Sequence, residues 1–324
     1  MVSLNRPDLA MQCLASIDKF TRSISYEVHL VALNFDEQAL SSLLKSHPKV
    51  LVHRVSGVRG YSQNNNVALR AAGGRYAAIL NDDTVLVDVL FGQIVQGLDA
   101  RPDVVGACPV LRNPDGSLQM GFRGRFTPLA FVAEQLRIDR LMPRAWAIRL
   151  GAFDRPWLPE SDHPIEIETG TGACFLARRE ALAAIGFLDE TYFLAPDDID
   201  WSVRLRRLGR LLLFPKASLI HYGSTTLRPS HYAVVPTVYA GCYAFFRRYY
   251  GRLSEWMIRM VLGLLWSSTL CTAWTLVSIV TRSPRARIMR RARKNCVRFA
   301  FSSASTSEIF AQLITGVRKQ ISSR

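Results

Sequence analysis

Three places in the chain put residues of catalytic type where chemistry could use them. Asn81-Asp82-Asp83 follows the apolar run Tyr76 to Leu80. Adjacent carboxylates repel, and a cation beside them relieves the repulsion. Hard divalent ions take carboxylate oxygens together with substrate phosphates. The same residue types are also common turn formers at a strand end. Pro196-Asp197-Asp198-Ile199-Asp200-Trp201 opens a helical pattern, with Ile199, Trp201, Val203, Leu205 and Leu208 apolar and Arg204, Arg206, Arg207 and Arg210 on the wet side. One acid there is explained as an N-cap. Three acids within four residues exceed what a cap needs, and a carboxylate at a pocket mouth serves as a general base. His221 closes the run Ser218-Leu219-Ile220. A lone histidine at a strand end is more often structural than a ligand, but beside carboxylates it is also a ligand for Mn2+ and similar ions.

The elements that must position these groups alternate in type. Leu9, Cys13, Leu14 and Ile17 recur at helical spacing after Asn5-Arg6-Pro7-Asp8, a good helix start. Val28 to Leu33 reads as a buried strand, Gln38 to Lys45 as a helix and Val50 to Val52 as a short strand. Gln63 to Ala72 reads as a helix ending at Gly73-Gly74, and Tyr76 to Leu80 as a strand running into Asn81. Strand–helix alternation predicts an α/β fold, a mostly parallel sheet flanked by helices. In such sheets ligands gather at the carboxyl ends of strands. Residues 111–165 carry Pro114-Asp115-Gly116 and several further prolines, and read as a long excursion able to cover the site. Glu168 to Ala177 reads as a strand, Arg179 to Ile185 and Asp198 to Leu208 as helices with Gly209 as C-cap, and Leu211 to Phe214 and Ser218 to Ile220 as strands.

Composition narrows the class. Of 324 residues, 49% are hydrophobic and 21% charged, which excludes a disordered chain. The six cysteines are far apart with no C-x-x-C, which excludes a zinc ribbon or disulfide scaffold and suits a reducing compartment. The start, MVSLNRPDLA, lacks the apolar core of a secretory signal. The net charge of +15 is unevenly placed: residues 247–324 hold 15 Lys/Arg and two acids, leaving 26 Lys/Arg and 24 acids before them. Basic charge is thus not spread over the body as a nucleic-acid enzyme would have it, and no nucleic-acid partner is expected. Residues 231–250 are rich in aromatics, and Met260 to Val280 is a 21-residue run without a charge, long enough to span a bilayer. Arginines flank it on both sides (Arg247, Arg248, Arg252 and Arg259 before, the cluster 282–294 after). A single crossing would put one basic flank outside, against the positive-inside bias. An in-plane or re-entrant association with an anionic membrane surface is the expectation. The domains expected are 1–230 as the catalytic body, 231–255 as an aromatic and basic helical linker and 256–324 as a membrane-associated helical tail.

Taken in order with the segments between them, these motifs resemble the inverting family-2 glycosyltransferases of the GT-A fold, especially bacterial rhamnosyltransferase-like members that extend cell-surface polysaccharides. Asn5-Arg6-Pro7 is similar to their Asn-Arg-Pro after the first strand, and Gly60-Tyr61-Ser62-Gln63-Asn64-Asn65-Asn66 to their Gly-aromatic loop ending in Asn-Asn. Ala71-Ala72-Gly73-Gly74-Arg75-Tyr76 followed by Leu80-Asn81-Asp82-Asp83-Thr84 resembles their Ala-x-Gly-x-Tyr strand and D-x-D-type site. Gly172-Ala173-Cys174, Arg178-Arg179-Glu180, Gly186-Phe187, Asp189-Glu190, Asp197-Asp198-Ile199-Asp200 and His221 match later pieces. The resemblance covers about residues 1–250. It departs from the pattern in three places: only Met1 to Leu4 precede Asn5, so the first strand is a stub; the family's Asp after the second strand is missing, with Asn34 and Asp36 nearby; and Asn81 stands in the first D-x-D place. The processive synthases' Gln-x-x-Arg-Trp is absent, so single-residue addition is expected.

The resemblance implies roles. Asp83 and His221 would hold a divalent cation, Mn2+ or Mg2+, that bridges a nucleotide diphosphate. Asn5, Arg6, Asn65 and Asp82, with Asp83, would contact the nucleotide sugar. Asp198 would be the base that deprotonates the acceptor hydroxyl, with Asp197 as the next candidate, and Gly172 and Trp201 would lie on the acceptor side. The reaction expected is transfer of a sugar, with dTDP-rhamnose as the candidate donor, to a lipid-linked or cell-surface glycan at the cytoplasmic face of a bacterial inner membrane. A non-catalytic scaffold with a degenerate GT-A fold and a basic anchor is the competing class, favoured by the stub strand and Asn81 and opposed by Asp83, Asp198 and His221.

Overall fold

The computed structural model describes residues 1–57, 59–151, 158, 160–223, 231–271, 284–302, 304, 308–309, 311–313 and 315. The chain divides into two compact units: Met1–Arg125 with Asp154–Asp189 and Asp198–Thr226, and Phe126–Phe153 with Glu190–Asp197 and Leu227–Arg324.

The first unit begins as the sequence pattern predicts. β1 (Val2–Leu4), β2 (His29–Leu33) and β3 (Leu51–Val55) pair in parallel in that order. Helices α1 (Pro7–Phe20) and α2 (Glu37–Ser46) make the connections, and α3 (Tyr61–Ala71) follows β3. Every residue of β2 is buried, as a continuous apolar run requires. Pro7 opens α1, where a missing N–H costs nothing. Asp36 caps α2 by accepting from Ala39 N at 2.7 Å. Gln63 Oε1 accepts from Gly60 N at 3.0 Å and fixes the entry to α3.

The second sheet is mixed, which corrects the expectation of a mostly parallel one. Its strands are β4 (Tyr76–Leu80), β5 (Thr84–Leu86), β6 (Val104–Arg112), β8 (Ile165–Ile167), β10 (Cys174–Arg178) and β11 (Arg210–His221). Their order is β4-β10-β6-β11-β5, with β8 also on β11. Only β6 and β11 run parallel; β10 is antiparallel to both its neighbours, and β5 and β8 are antiparallel to β11. Parallel neighbours need a crossover of a dozen or more residues, usually a helix. Here β10 instead enters between β4 and β6 from the excursion. That excursion also holds β7 (Phe122–Arg123), which pairs antiparallel with β9 (Thr169–Gly170), so the expected strand Glu168 to Ala177 is two strands, β9 and β10. A bridge between Val2 and Asn81 joins β1 to the end of β4. The two expected strands around Pro215 are one strand, β11, with a register shift between Phe214 and Ser218.

The central strands alternate between two cores, as a two-residue period demands. Leu212, Phe214, Cys174 and Leu176 face one core with Leu30, Ile94 and Val104. Leu211, Leu213, Phe175 and Ala177 face the other with Ile79, Leu182 and Trp201. Helices α4 (Leu90–Asp99), α7 (Arg179–Ile185) and α8 (Asp197–Leu205) accompany these strands. Helix α8 ends three residues before the expected Leu208. Gly209 is no left-handed cap: a Cβ there would lie 2.4 Å from Asp103 O, so the glycine serves a close backbone approach.

The second unit is helical. It contains α5 (Pro128–Gln135), a 3₁₀ turn (Ile138–Arg140), α6 (Arg144–Leu150), α9 (His231–Cys271) and α10 (Pro284–Ala300). The expected linker 231–255 supplies part of its core. Tyr243, Phe245 and Phe246 are buried, and Phe126 stacks on Phe246 with ring centroids 5.0 Å apart. Helix α9 runs through the expected boundary at 255/256, and its break lies at Gly251 (φ 85°, ψ 175°). Arg259, expected on a lipid-facing basic flank, is instead buried against Glu255 and donates to Phe299 O at 3.2 Å and Ser302 O at 3.0 Å, tying α9 to the end of α10. Among the described residues no helix is long and apolar enough to cross a membrane. Residues 272–280 of the expected apolar run lie outside the described residues.

Candidate active site at the ends of β4 and β11

Strand β4 delivers Asn81, Asp82 and Asp83 to a tight turn that leads directly into β5. The floor of this turn is fixed from below. Thr84 Oγ1 donates to Asn81 O at 2.7 Å, and the Cys13 thiol lies 3.5 Å from Thr84 Oγ1. Burial pushes that thiol up to about 12, so it acts as packing rather than as a nucleophile.

The antiparallel register of β5 on β11 sets His221 opposite Thr84. Tyr222 N donates to Asp83 O at 2.9 Å and locks that register. The result brings two groups 138 residues apart into contact: His221 Nε2 lies 3.2 Å from Asp83 Oδ1, both largely buried. The other ring nitrogen, Nδ1, is 2.6 Å from Gln119 Oε1. With a proton on Nδ1, the imidazole turns Nε2 towards the Asp83 carboxylate. A proton on Nε2 or a cation between the two atoms satisfies that contact, and the donor set fits a divalent metal in the proton's place. Among the described residues no third His, Cys, Asp or Glu joins them. That also fits Mg2+ or Mn2+, which is commonly bound through one or two carboxylates plus substrate phosphates and water.

Asn81 does not act as a charged ligand in this arrangement. Its amide lies 3.1 Å from the Tyr61 hydroxyl and 3.4 Å from His221 Nε2. Asp82 is buried, and its Oδ2 has no hydrogen-bond partner. Burial raises its carboxyl to about 6, opposed by the Ser3 side chain and aided by the charge of Asp83. Arg6 is paired with Asp8 at 2.7 Å and carries its positive charge within electrostatic reach of Asp82 and Asp83. Asn5 is exposed at the end of β1, with φ 44° and its N–H donating to Leu33 O at 3.0 Å.

Asp198 is joined to this cluster through Gly172. Gly172 N donates to Asp198 Oδ2 at 3.0 Å, and Gly172 O accepts from the Tyr61 hydroxyl at 2.7 Å. A Cβ on Gly172 would sit 2.9 Å from that hydroxyl, so the close approach requires glycine. Ile199 N donates to Asp198 Oδ1 at 2.9 Å. Burial nevertheless holds the Asp198 carboxyl above the usual range, against those two N–H groups and the Arg123 charge. The other two acids of the motif are more deeply buried. Asp200 is an ion-pair partner of Arg204 at 2.8 Å, whose guanidinium also caps Ile185 O and Phe187 O. Asp197 is buried at the first residue of α8.

Two of the sequence expectations fall elsewhere in the fold. Trp201 is fully buried, edge-on to Phe175, and offers no surface to an acceptor. Asn65 is buried on the core side of α3, its amide donating to Tyr61 O at 3.1 Å. It lines an apolar cavity of about 620 Å³ with His29, Tyr76 and Leu80. Its neighbour Asn66 is a clamp, exchanging two hydrogen bonds with the backbone of Leu188 at 2.8 and 3.0 Å. Gln119 carried no sequence signal of its own. The Asn113-Pro114-Asp115-Gly116 turn before it was the available one, since it closes a hairpin that returns the chain to β6.

The family model "glycosyltransferase like family 2" matches residues 1–235. Two N-acetylglucosaminyl-diphospho-decaprenol L-rhamnosyltransferases of Mycobacterium tuberculosis, from strains CDC 1551 / Oshkosh and ATCC 25618 / H37Rv, are each 29% identical over 196 residues, covering 54% of this chain. The match spans 62% of the length of these curated relatives. Among solved structures, the mannosyltransferase PcManGT of Pyrobaculum calidifontis, in complex with GDP-Man and Mn2+, superposes with a TM-score of 0.51. It is 15% identical and covers 92% of this chain and 84% of its own, a likeness of fold. With the family model covering most of the chain, and with an α/β fold of GT-A type beneath it, the protein belongs to glycosyltransferase family 2.

Proposed function

We propose that this protein transfers a single sugar, with inversion, from a nucleotide-sugar donor to a hydroxyl of a lipid-linked or cell-surface glycan. The observation that carries the reading is the contact of His221 Nε2 with Asp83 Oδ1 at 3.2 Å, at the strand end that Gly172 and Tyr61 link to Asp198. Asp83 and His221 would hold Mn2+ or Mg2+, which when bound supplies Lewis-acid stabilisation to a departing diphosphate. Arg6 adds positive charge on the same side. Asp82 presents an unpartnered buried oxygen for a donor hydroxyl. Inversion is an in-line displacement at the anomeric carbon and needs no covalent nucleophile. Asp198, with its carboxyl raised by burial, is suited to take the acceptor proton. The mycobacterial relatives support a deoxyhexose donor such as dTDP-rhamnose and a polyprenyl-diphosphate-linked acceptor.

We place the reaction at an anionic membrane surface, on the cytoplasmic side of a bacterial inner membrane, where a lipid-linked acceptor diffuses. Support comes from the exposed apolar residues of α9 and the basic face of α10.

A thermal-shift screen of nucleotide sugars with Mn2+ tests the donor, because a ligand at a hundred times its dissociation constant adds about 2.7 kcal/mol of stability. Wild type should respond to one donor and release its nucleoside diphosphate, and Asp83→Ala should lose donor binding while melting like wild type. If Asp83→Ala binds the donor as tightly as wild type, the metal assignment is wrong. Absence of turnover with every common nucleotide sugar would favour the scaffold reading.

A further inference from the structure

We propose that Gln119 is the positioning residue that fixes the tautomer and aim of His221. It holds a proton on Nδ1, so that Nε2 is the ring nitrogen left to face Asp83 and to take a metal. The inference rests on the metal reading of Asp83 and His221 and adds a residue to it.

The assignment follows from counting donors and acceptors around one amide. Gln119 Nε2 lies 3.0 Å from Asn113 Oδ1 and 3.3 Å from the carbonyl oxygen of His221, both acceptors, so that end of the amide is the NH2 group. The other end is then the carbonyl, and Oε1 at 2.6 Å from His221 Nδ1 can only accept. The ring must therefore carry its proton on Nδ1. At the far side of the ring the Asn81 amide lies 3.4 Å from Nε2. The Gln119 amide is the one that fixes the proton on Nδ1. The reverse tautomer would place a proton between Nε2 and Asp83 Oδ1 and tie the two prospective ligands to each other. Histidine ligands are generally oriented by an acceptor on the ring nitrogen that does not bind the metal.

The hairpin that carries Gln119 is itself built to hold one amide still. Asn113 N donates to Ser117 O at 2.8 Å and Gln119 N to Leu111 O at 2.9 Å. Asn113 Nδ2 donates to Ser117 Oγ at 2.9 Å, which leaves Asn113 Oδ1 free to receive Gln119. Asp115 takes the Ser117 N–H at 2.9 Å and its hydroxyl at 2.5 Å. Gly116, with φ 81°, supplies the left-handed residue the turn needs. This gives a purpose to Asn113-Pro114-Asp115-Gly116-Ser117, which otherwise reads as an irregular loop.

The test compares wild type with Gln119→Leu, which removes the acceptor, and Gln119→Glu, which keeps it. Ring 15N shifts of His221 in the metal-free protein, assigned against His221→Asn, report the tautomer, and calorimetric titration reports Mn2+ affinity. Wild type and Gln119→Glu should show a proton on Nδ1, with or without one on Nε2. Gln119→Leu should show a mixture or the Nε2–H form and bind Mn2+ about tenfold to a hundredfold more weakly. Wild-type tautomer and affinity in Gln119→Leu overturn the proposal, as does a Gln119→Glu protein that behaves like Gln119→Leu. Should Gln119→Leu fail to fold, the wild-type tautomer decides: the Nε2–H form in wild type overturns the proposal. A wild-type protein with the Nδ1–H tautomer but no Mn2+ binding removes the metal reading and leaves the role of Gln119 in place.

Discussion

Asp198 accepts two backbone N–H groups, a pattern that normally lowers a carboxyl, yet burial holds it raised. A base must be deprotonated, so the acid limb of the rate profile should lie above the ordinary carboxylate range. Its effect on stability has the opposite sense. A raised pKa in the fold contributes stability that is present below the ordinary value and is lost as pH rises through the raised one. Asp198→Asn should therefore lower the transfer rate by about 10²–10⁴-fold, keep donor affinity, and melt no lower than wild type at pH 7.5. Initial rates and donor titration check this, and a loss under tenfold would assign Asp198 to capping α8. That the acidic pair, Asp198 and His221 stand at the ends of elements was legible in the sequence, because each adjoins a clear apolar or amphipathic run. The three consecutive asparagines were not separable. Successive helix positions point about 100° apart, so Asn64 meets Arg59, Asn65 the turn before it, and Asn66 the backbone of Leu188. Only the packed helix decides which neighbour each one finds.

The strands at 29–33 and 76–80 and the helix at 37–46 were read within a residue or so, since each is an amphipathic or buried run with clear ends, whereas β3 runs three residues past the expected Val52 and β5 and α4 were not read at all. Strand β10 was visible as a segment but its place between β4 and β6 was not. Pairing is non-local, and nothing in a run such as Cys174-Phe175-Leu176-Ala177 names its neighbours. The consequence for the site is direct, because Gly172 and Ala173 reach Asp198 and Asn81 only through that insertion. Asn66 holds the segment after α7 in place by its two hydrogen bonds to the backbone of Leu188, a residue packed in the second core. Asn66→Ala leaves a buried N–H and a buried C=O without that partner and should cost about 2–6 kcal/mol, since each unsatisfied buried group costs about 1–3. Asn64→Ala, whose partner Arg59 lies nearer solvent, should cost under about 1 kcal/mol. Urea unfolding of the two variants separates them, and equal midpoints would show that the Leu188 clamp carries no stability.

Across the whole molecule charge and apolar surface are distributed by unit. The helical unit exposes Leu253, Trp256 and Leu264 of α9 at 78%, 59% and 66%, a spacing that sets them along one side of the helix. On α10, Ala292, Cys296 and Phe299 turn inward, while Arg290, Arg291, Lys294 and Arg298 are exposed. An apolar stripe alone suggests any partner; beside an unpaired excess of arginine it favours an anionic lipid surface, where each basic group near the surface contributes about 1 kcal/mol. Arg259 is excluded from that sum, because its charge is spent on Glu255. The protein should cosediment with vesicles containing anionic lipid at low salt and be released as salt rises, since the Debye length falls to about 3 Å at 1 M. Arg290→Gln with Arg291→Gln should weaken vesicle binding by about 2 kcal/mol, near thirtyfold, with the melting temperature unchanged. Trp256→Glu should weaken it in a way that salt does not mask, because the lost contribution is apolar. Full recovery of wild type in the soluble fraction at low salt without detergent would sink membrane association. Retention through high-salt and carbonate extraction would instead mean that the tail is embedded more deeply than surface binding allows.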